Sequence, residues 1–286
     1  MAKIGFIGAG KVGTALAVRL SRKGYSLVAI HDVKPEAAKD FVQVVRGCKV
    51  ADEAQDVADA ADLVFITTTD DLISSVCSSI KWRAGQMVVH CSGANTVALL
   101  ESANQAGALV GVFHPGLSFA DKKQAIESIL GVTFDIEAKE PVLSKLKELA
   151  AELDAYWIEI KPEDKPVYHV AVEFTSLFVA LLFRMAVRME QTMGITTEQA
   201  VGVALPMIRG TADIIETFGT SRPLTGPADR GDNQTIKNHI DGLRRLFPDG
   251  LPLYRELVRQ NITFSLEHKL IDQTKAEELR AILEKY

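Results

Sequence analysis

Lys165, His169, Glu173 and Ser176 stand at steps of four, four and three within DKPVYHVAVEFTSLFVALLF (164–183). On a helix that spacing stacks an ammonium, an imidazole, a carboxylate and a hydroxyl in one stripe. The rest of the stretch is apolar almost all the way round. Burying an unpaired charge is costly, so the stripe must face its own partners or a polar cleft. Proton transfer is the chemistry such a set can perform. A lysine whose pKa is lowered by desolvation, or a histidine near its ordinary value, gives or takes a proton at neutral pH. Lys165 is the expected acid–base group and His169 its relay or a substrate-orienting group, with His169 as the principal acid the nearest alternative. Glu173 reads equally as a substrate contact and as the ion partner of Lys165 or His169.

Further candidates lie elsewhere in the chain. Ser92, in HCSGA (90–94), follows an apolar run and is expected to position a reacting group or to cap the next helix. His114 precedes Pro115, which disfavours a helix there and predicts a rigid loop; it reads as a substrate contact or as a structural hydrogen bond. His90, in mid-strand, reads as structural. In GPADRGDNQT (226–235), the planar fork of Arg230 suits a carboxylate or phosphate. Asp232 and Thr235 beside it read as substrate contacts, with Asp232 as the N-cap of a helix starting near Asn233 the alternative. No HExxH, cysteine cluster or carboxylate grid suggests a metal. The three cysteines, Cys48, Cys77 and Cys91, form no CxxC pair and are read as small buried hydrophobes.

These groups need a scaffold, and GFIGAGKVGTAL (5–16) supplies its first part. Gly8, Ala9, Gly10, Lys11, Val12 and Gly13 form a GxGxxG turn between an apolar run that reads as a strand and a pattern that reads as a helix. A tight turn at the first glycine, bare backbone at the second and close helix packing at the third suit a pyrophosphate on the helix N-terminus. Asp32 ends the second expected strand, 19 residues after Gly13, where an acid accepts hydrogen bonds from an adenosine ribose. Its charge repels a 2′-phosphate and so favours NAD over NADP, and Lys34 nearby offsets that preference. Thr67, Thr68, Thr69 and Asp70 end a later strand at the edge where ligands of such sheets bind, Thr69 or Asp70 reading also as a helix cap.

Short apolar runs alternate with helical patterns as far as AYWIEI (155–160), which predicts an α/β class: a doubly wound, largely parallel sheet. Beyond KPEDKP (161–166) only helical patterns follow, at about 163–193, 196–218, 233–247, 250–268 and 272–285. The expected organisation is a dinucleotide-binding domain over 1–161 and an all-helical domain over 162–286. The long irregular piece GTSRPLTGPADRGD (219–232) is the loop most expected to be functional. A net charge of −5 with acids and bases mixed offers no basic footprint for nucleic acid. No uninterrupted run of eighteen apolar residues occurs, so no membrane span is expected, and the N-terminus has no secretory pattern, so a cytoplasmic protein is.

With the glycine turn, Asp32 and the Lys165 helix in place, the chain resembles the ketopantoate reductase and 6-phosphogluconate dehydrogenase group of two-domain dehydrogenases. It is similar, more closely, to Rossmann-like proteins with a helical C-terminal domain of unknown function, through HCSGA, FHPGLSF (113–119), KPVYH (165–169) and GPADRGDNQTIKNH (226–239). In the larger group a lysine on the first long helix of the second domain is the proton donor or base, and Lys165 matches it by position. His169 and Glu173 stand where ketopantoate reductase has asparagines. The resemblance implies an NAD(P)-dependent oxidoreductase acting in an interdomain cleft on a small anionic carbonyl, hydroxy or imino acid, and a homodimer. A dinucleotide-binding redox sensor without turnover is the alternative.

Overall fold

A computed structural model describes residues 2–220 and 225–285. The chain divides into two compact units, 1–176 and 177–286. The last strand ends at Glu159, and the first unit also includes the helix that begins at Lys165.

The first unit opens with β1 (Lys3–Ile7), α1 (Lys11–Arg22), β2 (Ser26–His31), α2 (Pro35–Val44), β3 (Lys49–Val50) and α3 (Ala54–Ala60). Then come β4 (Leu63–Ile66), α4 (Asp70–Ser78), β5 (Met87–His90), α5 (Glu101–Gln105), β6 (Leu109–Pro115) and α6 (Lys122–Ser128). The unit closes with β7 (Thr133–Ala138), α7 (Val142–Glu152), β8 (Tyr156–Glu159) and α8 (Lys165–Thr175). The eight strands form one sheet in the order β3-β2-β1-β4-β5-β6-β7-β8. The strand order turns back at β1 beside β4, and the glycine turn leaves β1 at that reversal, where such sheets bind ligands.

All neighbouring pairs are parallel except β6 with β7, whose antiparallel register sets His114 opposite Asp135 and Gly111 opposite Ala138. The sheet is thus largely parallel, as expected, with one reversal that the sequence does not signal. β4, LVFI, is buried at all four positions, as a strand covered on both faces must be. On one face Phe6, Phe65, Phe113 and Phe134 are wholly buried under α1, α6 and α7, with Phe113 stacked on Phe134 at 4.0 Å between centroids. Each such ring stabilises the fold by roughly 1.5–3 kcal/mol through area removed from water. The other face packs Ile7, Val64, Ile66 and Val88 against α3, α4 and α5. Near β6 and β7 that second face turns polar, because Asp135 and Glu137 alternate with Phe134 and Ile136.

The helix expected over 163–193 breaks at Ser176, which has φ −124° and ψ −77°. Thr175 Oγ1 and Ser176 Oγ both donate to the Val172 carbonyl, a local competition that interrupts helices. The second unit then contains α9 (Leu177–Gln191), α10 (Thr197–Phe218), α11 (Asn233–Leu246), α12 (Leu251–Glu267) and α13 (Gln273–Lys285). Ala228, Ile236, Ile240, Ile262, Leu279 and Leu283 are buried together between its last three helices.

Contrary to the expectation from uninterrupted apolar runs, Pro162–Gln191 is by length and composition apolar enough to cross a membrane, with a mean hydropathy of 1.9 in its most apolar stretch. The break at Ser176 divides it into helices of 11 and 15 residues, each shorter than a span of about 20.

Candidate active site

The glycine turn has the geometry its residue types require. Gly8 has φ +106°, and a Cβ there would lie 2.7 Å from the Thr67 carbonyl. At Gly13 a Cβ would come within 2.4 Å of Thr67 Oγ1, so α1 approaches the end of β4 as only glycine permits. Gly10 is exposed, and the nearest atom to a Cβ placed on it is 3.5 Å away. The first and third glycines are closed by packing and the second is open, the pattern that lets a pyrophosphate approach bare backbone. The first turn of α1 holds no acid, so the amide hydrogens of Lys11, Val12 and Gly13, which have no partner within the helix, would meet an anion unopposed. A dinucleotide fits this turn.

The flanking candidates are partly committed to holding it. Asp32 accepts from the Ala9 amide at 2.7 Å and from the Lys34 amide at 2.8 Å, so its carboxylate ties the turn to the end of β2. Thr67 Oγ1 donates to the Gly8 carbonyl at 2.6 Å. Lys11 Nζ donates to the Phe119 carbonyl. Thr68 is half-buried, and Thr69 stands at the N-cap of α4 without a side-chain cap bond.

Asp70 and Ser92 are paired. Ser92 is 3% exposed, donates to Asp70 Oδ2 at 2.7 Å and accepts from the Asn95 amide and side chain. Its hydroxyl is therefore consumed in shaping the 92–96 turn, nearer to the expected capping than to a contact with substrate. His90 supports the same turn. Its Nε2 donates to the Thr96 carbonyl and its Nδ1 accepts from the Ser92 amide, and burial lowers its pKa to about 4. A neutral ring donating at one nitrogen and accepting at the other satisfies both bonds.

The centre of the site is a residue that the sequence reading did not nominate. Asp135, in mid-β7 and without exposure, accepts from His114 Nδ1 at 2.5 Å and from Lys165 Nζ at 2.7 Å. The antiparallel register puts the histidine directly across the strand pair, and the start of α8 brings the lysine onto the same face. Lys165 has no exposed side-chain surface, so its amine is turned inward and its bond goes to Asp135. His114 is the end of the line that reaches the surface, with 16% of its side chain exposed. Its ring covers Gly93, where a Cβ would fall 2.7 Å from Nε2, and Nε2 has no hydrogen bond among the described residues. Tyr168, one turn along α8, lies against Gly116, so the FHPG and KPVYH motifs meet.

His169 and Glu173 are half-buried on α8, and their side chains make no hydrogen bond or ion pair among the described residues. Neither pairs with Lys165, contrary to one of the expectations for Glu173. Ser176 lies beyond the helix break. In the second unit, Asp232 caps α11, accepting from the Thr235 amide at 3.0 Å and the Thr235 hydroxyl at 2.7 Å. Both residues thus follow the capping alternative. Arg230 is exposed. Its neighbour Asp229 anchors the loop instead, accepting from Ser265 and from the Gly226 amide at 2.6 Å each. All three cysteines are free, and burial pushes the Cys48 thiol up to about 12, which removes thiolate chemistry at neutral pH. Among the described residues no cluster of three His, Cys, Asp or Glu groups can hold a metal ion.

Residues 1–115 match the family model of a Rossmann-like domain, and residues 132–261 match that of a domain of unknown function, DUF2520. The chain thus pairs the two domains that its motifs led us to expect. A solved structure from Bacteroides fragilis, described as an NADP oxidoreductase, is 25% identical, superposes with a TM-score of 0.72 and covers 92% of this chain and 98% of its own. A Thermotoga maritima protein shares the fold at a TM-score of 0.73 and 23% identity, over 93% of this chain and 99% of its own. Mitochondrial 3-hydroxyisobutyrate dehydrogenase of Bos taurus is 40% identical over 62 residues, 22% of this chain, and the match spans 18% of the dehydrogenase.

Proposed function

We propose that this chain is an NAD(P)-dependent oxidoreductase in which His114, oriented by Asp135, moves the proton that accompanies hydride transfer. A nicotinamide bound at the glycine turn supplies or accepts the hydride. The observation that carries the reading is the buried line Lys165, Asp135, His114, which ends in a free ring nitrogen beside Gly93 at the carboxyl edge of the sheet that bears the turn. Asp135 holds the Nδ1 hydrogen and so fixes the tautomer, leaving Nε2 to take a proton from an alcohol or, protonated, to give one to a nascent alkoxide or amine. Lys165 pairs with Asp135 at 2.7 Å and holds its carboxylate toward the imidazole; its part is positioning. This differs from the expectation that Lys165 itself handles the proton, and the burial of its amine favours the exchange of roles. The oxidoreductase described from Bacteroides fragilis supports the same class of reaction.

The substrate we infer is a small carbonyl, hydroxy or imino acid. An imino acid suits His114 as well as a keto acid does, since both need one proton at the atom next to the hydride acceptor. Asp32 at the ribose end favours NAD, and Lys34 keeps NADP within reach. The test is a binding screen with NADH and NADPH followed by keto, hydroxy and cyclic imino acids, monitored by nicotinamide absorbance. Turnover of at least one acid is expected. Binding without turnover of any candidate would replace the enzyme with a dinucleotide-binding sensor.

We infer also that the chain works as a homodimer through the helices of its second unit. Val203 is 56% exposed and Met207 70%, large apolar side chains one turn apart on α10, and Leu181 and Leu182 on α9 are more than a third exposed. Exposed apolar side chains on these two helices support that reading. Light scattering at micromolar concentration should return the mass of two chains, and a monomer would remove the inference.

A further inference from the structure

The antiparallel course of β7 carries its end away from the glycine turn. Glu137 pairs with Val112 and Ala138 with Gly111, so the strand finishes toward the start of β6, about 13 Å from Pro115 at roughly 3.3 Å per residue. There the ends of β7 and β8 and the start of β6 enclose a cavity of about 630 Å³. Its walls are mostly apolar, with Leu109, Val110, Ile136, Val142, Ile160 and Pro162 among them.

One wall group is out of place in such a lining. Glu137 is 7% exposed, and its Oε1 accepts from the Val97 amide at 3.2 Å. Its Oε2 is buried without a hydrogen-bond partner among the described residues. Burial raises its pKa above the usual carboxylate value. An unpaired buried acceptor of this kind is costly, and a ligand bearing a donor would recover that cost.

The other charges around it are already matched or face outward. Glu159 is paired with Lys147 at 2.6 Å, and Glu140 accepts from Ser144. The nearby Asp135 and Lys165 neutralise each other. At the rim, Lys139 and Lys161 are exposed and make no ion pair among the described residues. A lone acid inside, apolar walls and two cations at the mouth define a ligand from end to end.

We propose that this cavity is a second small-molecule site, separate from the nucleotide turn. It takes an amino acid whose ammonium and carboxylate are separated by an apolar spacer, the ammonium on Glu137 and the carboxylate at Lys139 and Lys161. The inference does not rest on the function proposed above, since the site is read by binding and holds none of the groups assigned to proton transfer.

Calorimetry on the full chain with three probes of one length tests it: 6-aminohexanoate, hexylamine and hexanoate. The zwitterion is expected to bind most tightly and hexanoate, which lacks the ammonium, most weakly. Glu137→Gln keeps the shape and an acceptor for Val97, and should weaken 6-aminohexanoate at least tenfold while leaving NADH binding unchanged. The surface variant Lys139→Glu with Lys161→Glu, which does not touch the core, should weaken 6-aminohexanoate and leave hexylamine as tight or tighter. Hexanoate matching 6-aminohexanoate, an unaltered affinity in Glu137→Gln, or no heat from any probe would each overturn the assignment.

Discussion

Replacing Lys165 by methionine is expected to cost the first unit about 3–5 kcal/mol, the penalty for leaving one member of a buried ion pair without the other. The side chain has no exposed surface and Asp135 has none either, so water cannot take the place of the missing ammonium. Asp135 would keep only the bond from His114, and the carboxylate would have to be protonated or drag solvent inward. Asp135→Leu should cost a similar amount by stranding the lysine. The double variant, Lys165→Met with Asp135→Leu, should lose less than the sum of the two, because both charges leave together and apolar side chains fill the space. Trp82 and Trp157, the only tryptophans in the chain, both lie in the first unit, so urea unfolding followed by fluorescence reports on that unit alone. A loss below about 1 kcal/mol for Lys165→Met would mean that the amine finds water and that the pair is worth no more than a surface salt bridge. The positioning role assigned to Lys165 would then fall with it.

Much of this arrangement was legible in the residues, and the parts that were not have physical reasons. The glycine turn was readable because φ above zero and close backbone contact both demand glycine, and the structure needs glycine at Gly8 and Gly13 for those two reasons. Burial of the Lys165 stripe was half readable. The helix face is visible, but the ion partner it offers the lysine is Glu173, whereas the actual partner stands on a strand 30 residues earlier. A helical stripe shows only neighbours three and four residues apart, and this pairing arises from the direction of β7. Parallel strands tend to read as continuous apolar runs and antiparallel ones as alternation, but six residues are too few to give the direction of β7. Yet TFDIEA did carry a signal, two acids on one face of a strand otherwise apolar, and it points to both Asp135 and Glu137. Ser176 could also have been suspected. Adjacent Thr175 and Ser176 compete for the carbonyl of Val172, and that competition ends α8 before the stripe reaches its fourth member.

His114→Gln is expected to lower kcat by about 10²- to 10⁴-fold while leaving dinucleotide affinity unchanged, the range a positioned general acid–base group contributes. Glutamine fills similar space beside Gly93 and can still donate to Asp135, but it has no proton that titrates. The limb of the pH–rate profile that a titrating imidazole produces should vanish with it, a change that a merely structural histidine would not cause. Asp135→Asn sharpens the test. Its side-chain amide can present hydrogens where the imidazole needs an acceptor, so the ring loses the partner that fixes its tautomer and Nε2 is no longer reliably free. That variant should lower kcat far more than it raises KM, since the group it misaligns acts on the proton and not on the bound ground state. Gly93→Ala reaches the same ring from the other side, placing a methyl group 2.6 Å from its Cε1. If His114→Gln turns over as the parent does, and a folded preparation of Lys165→Met does not, the proton belongs to the lysine after all and the buried line must open during the reaction.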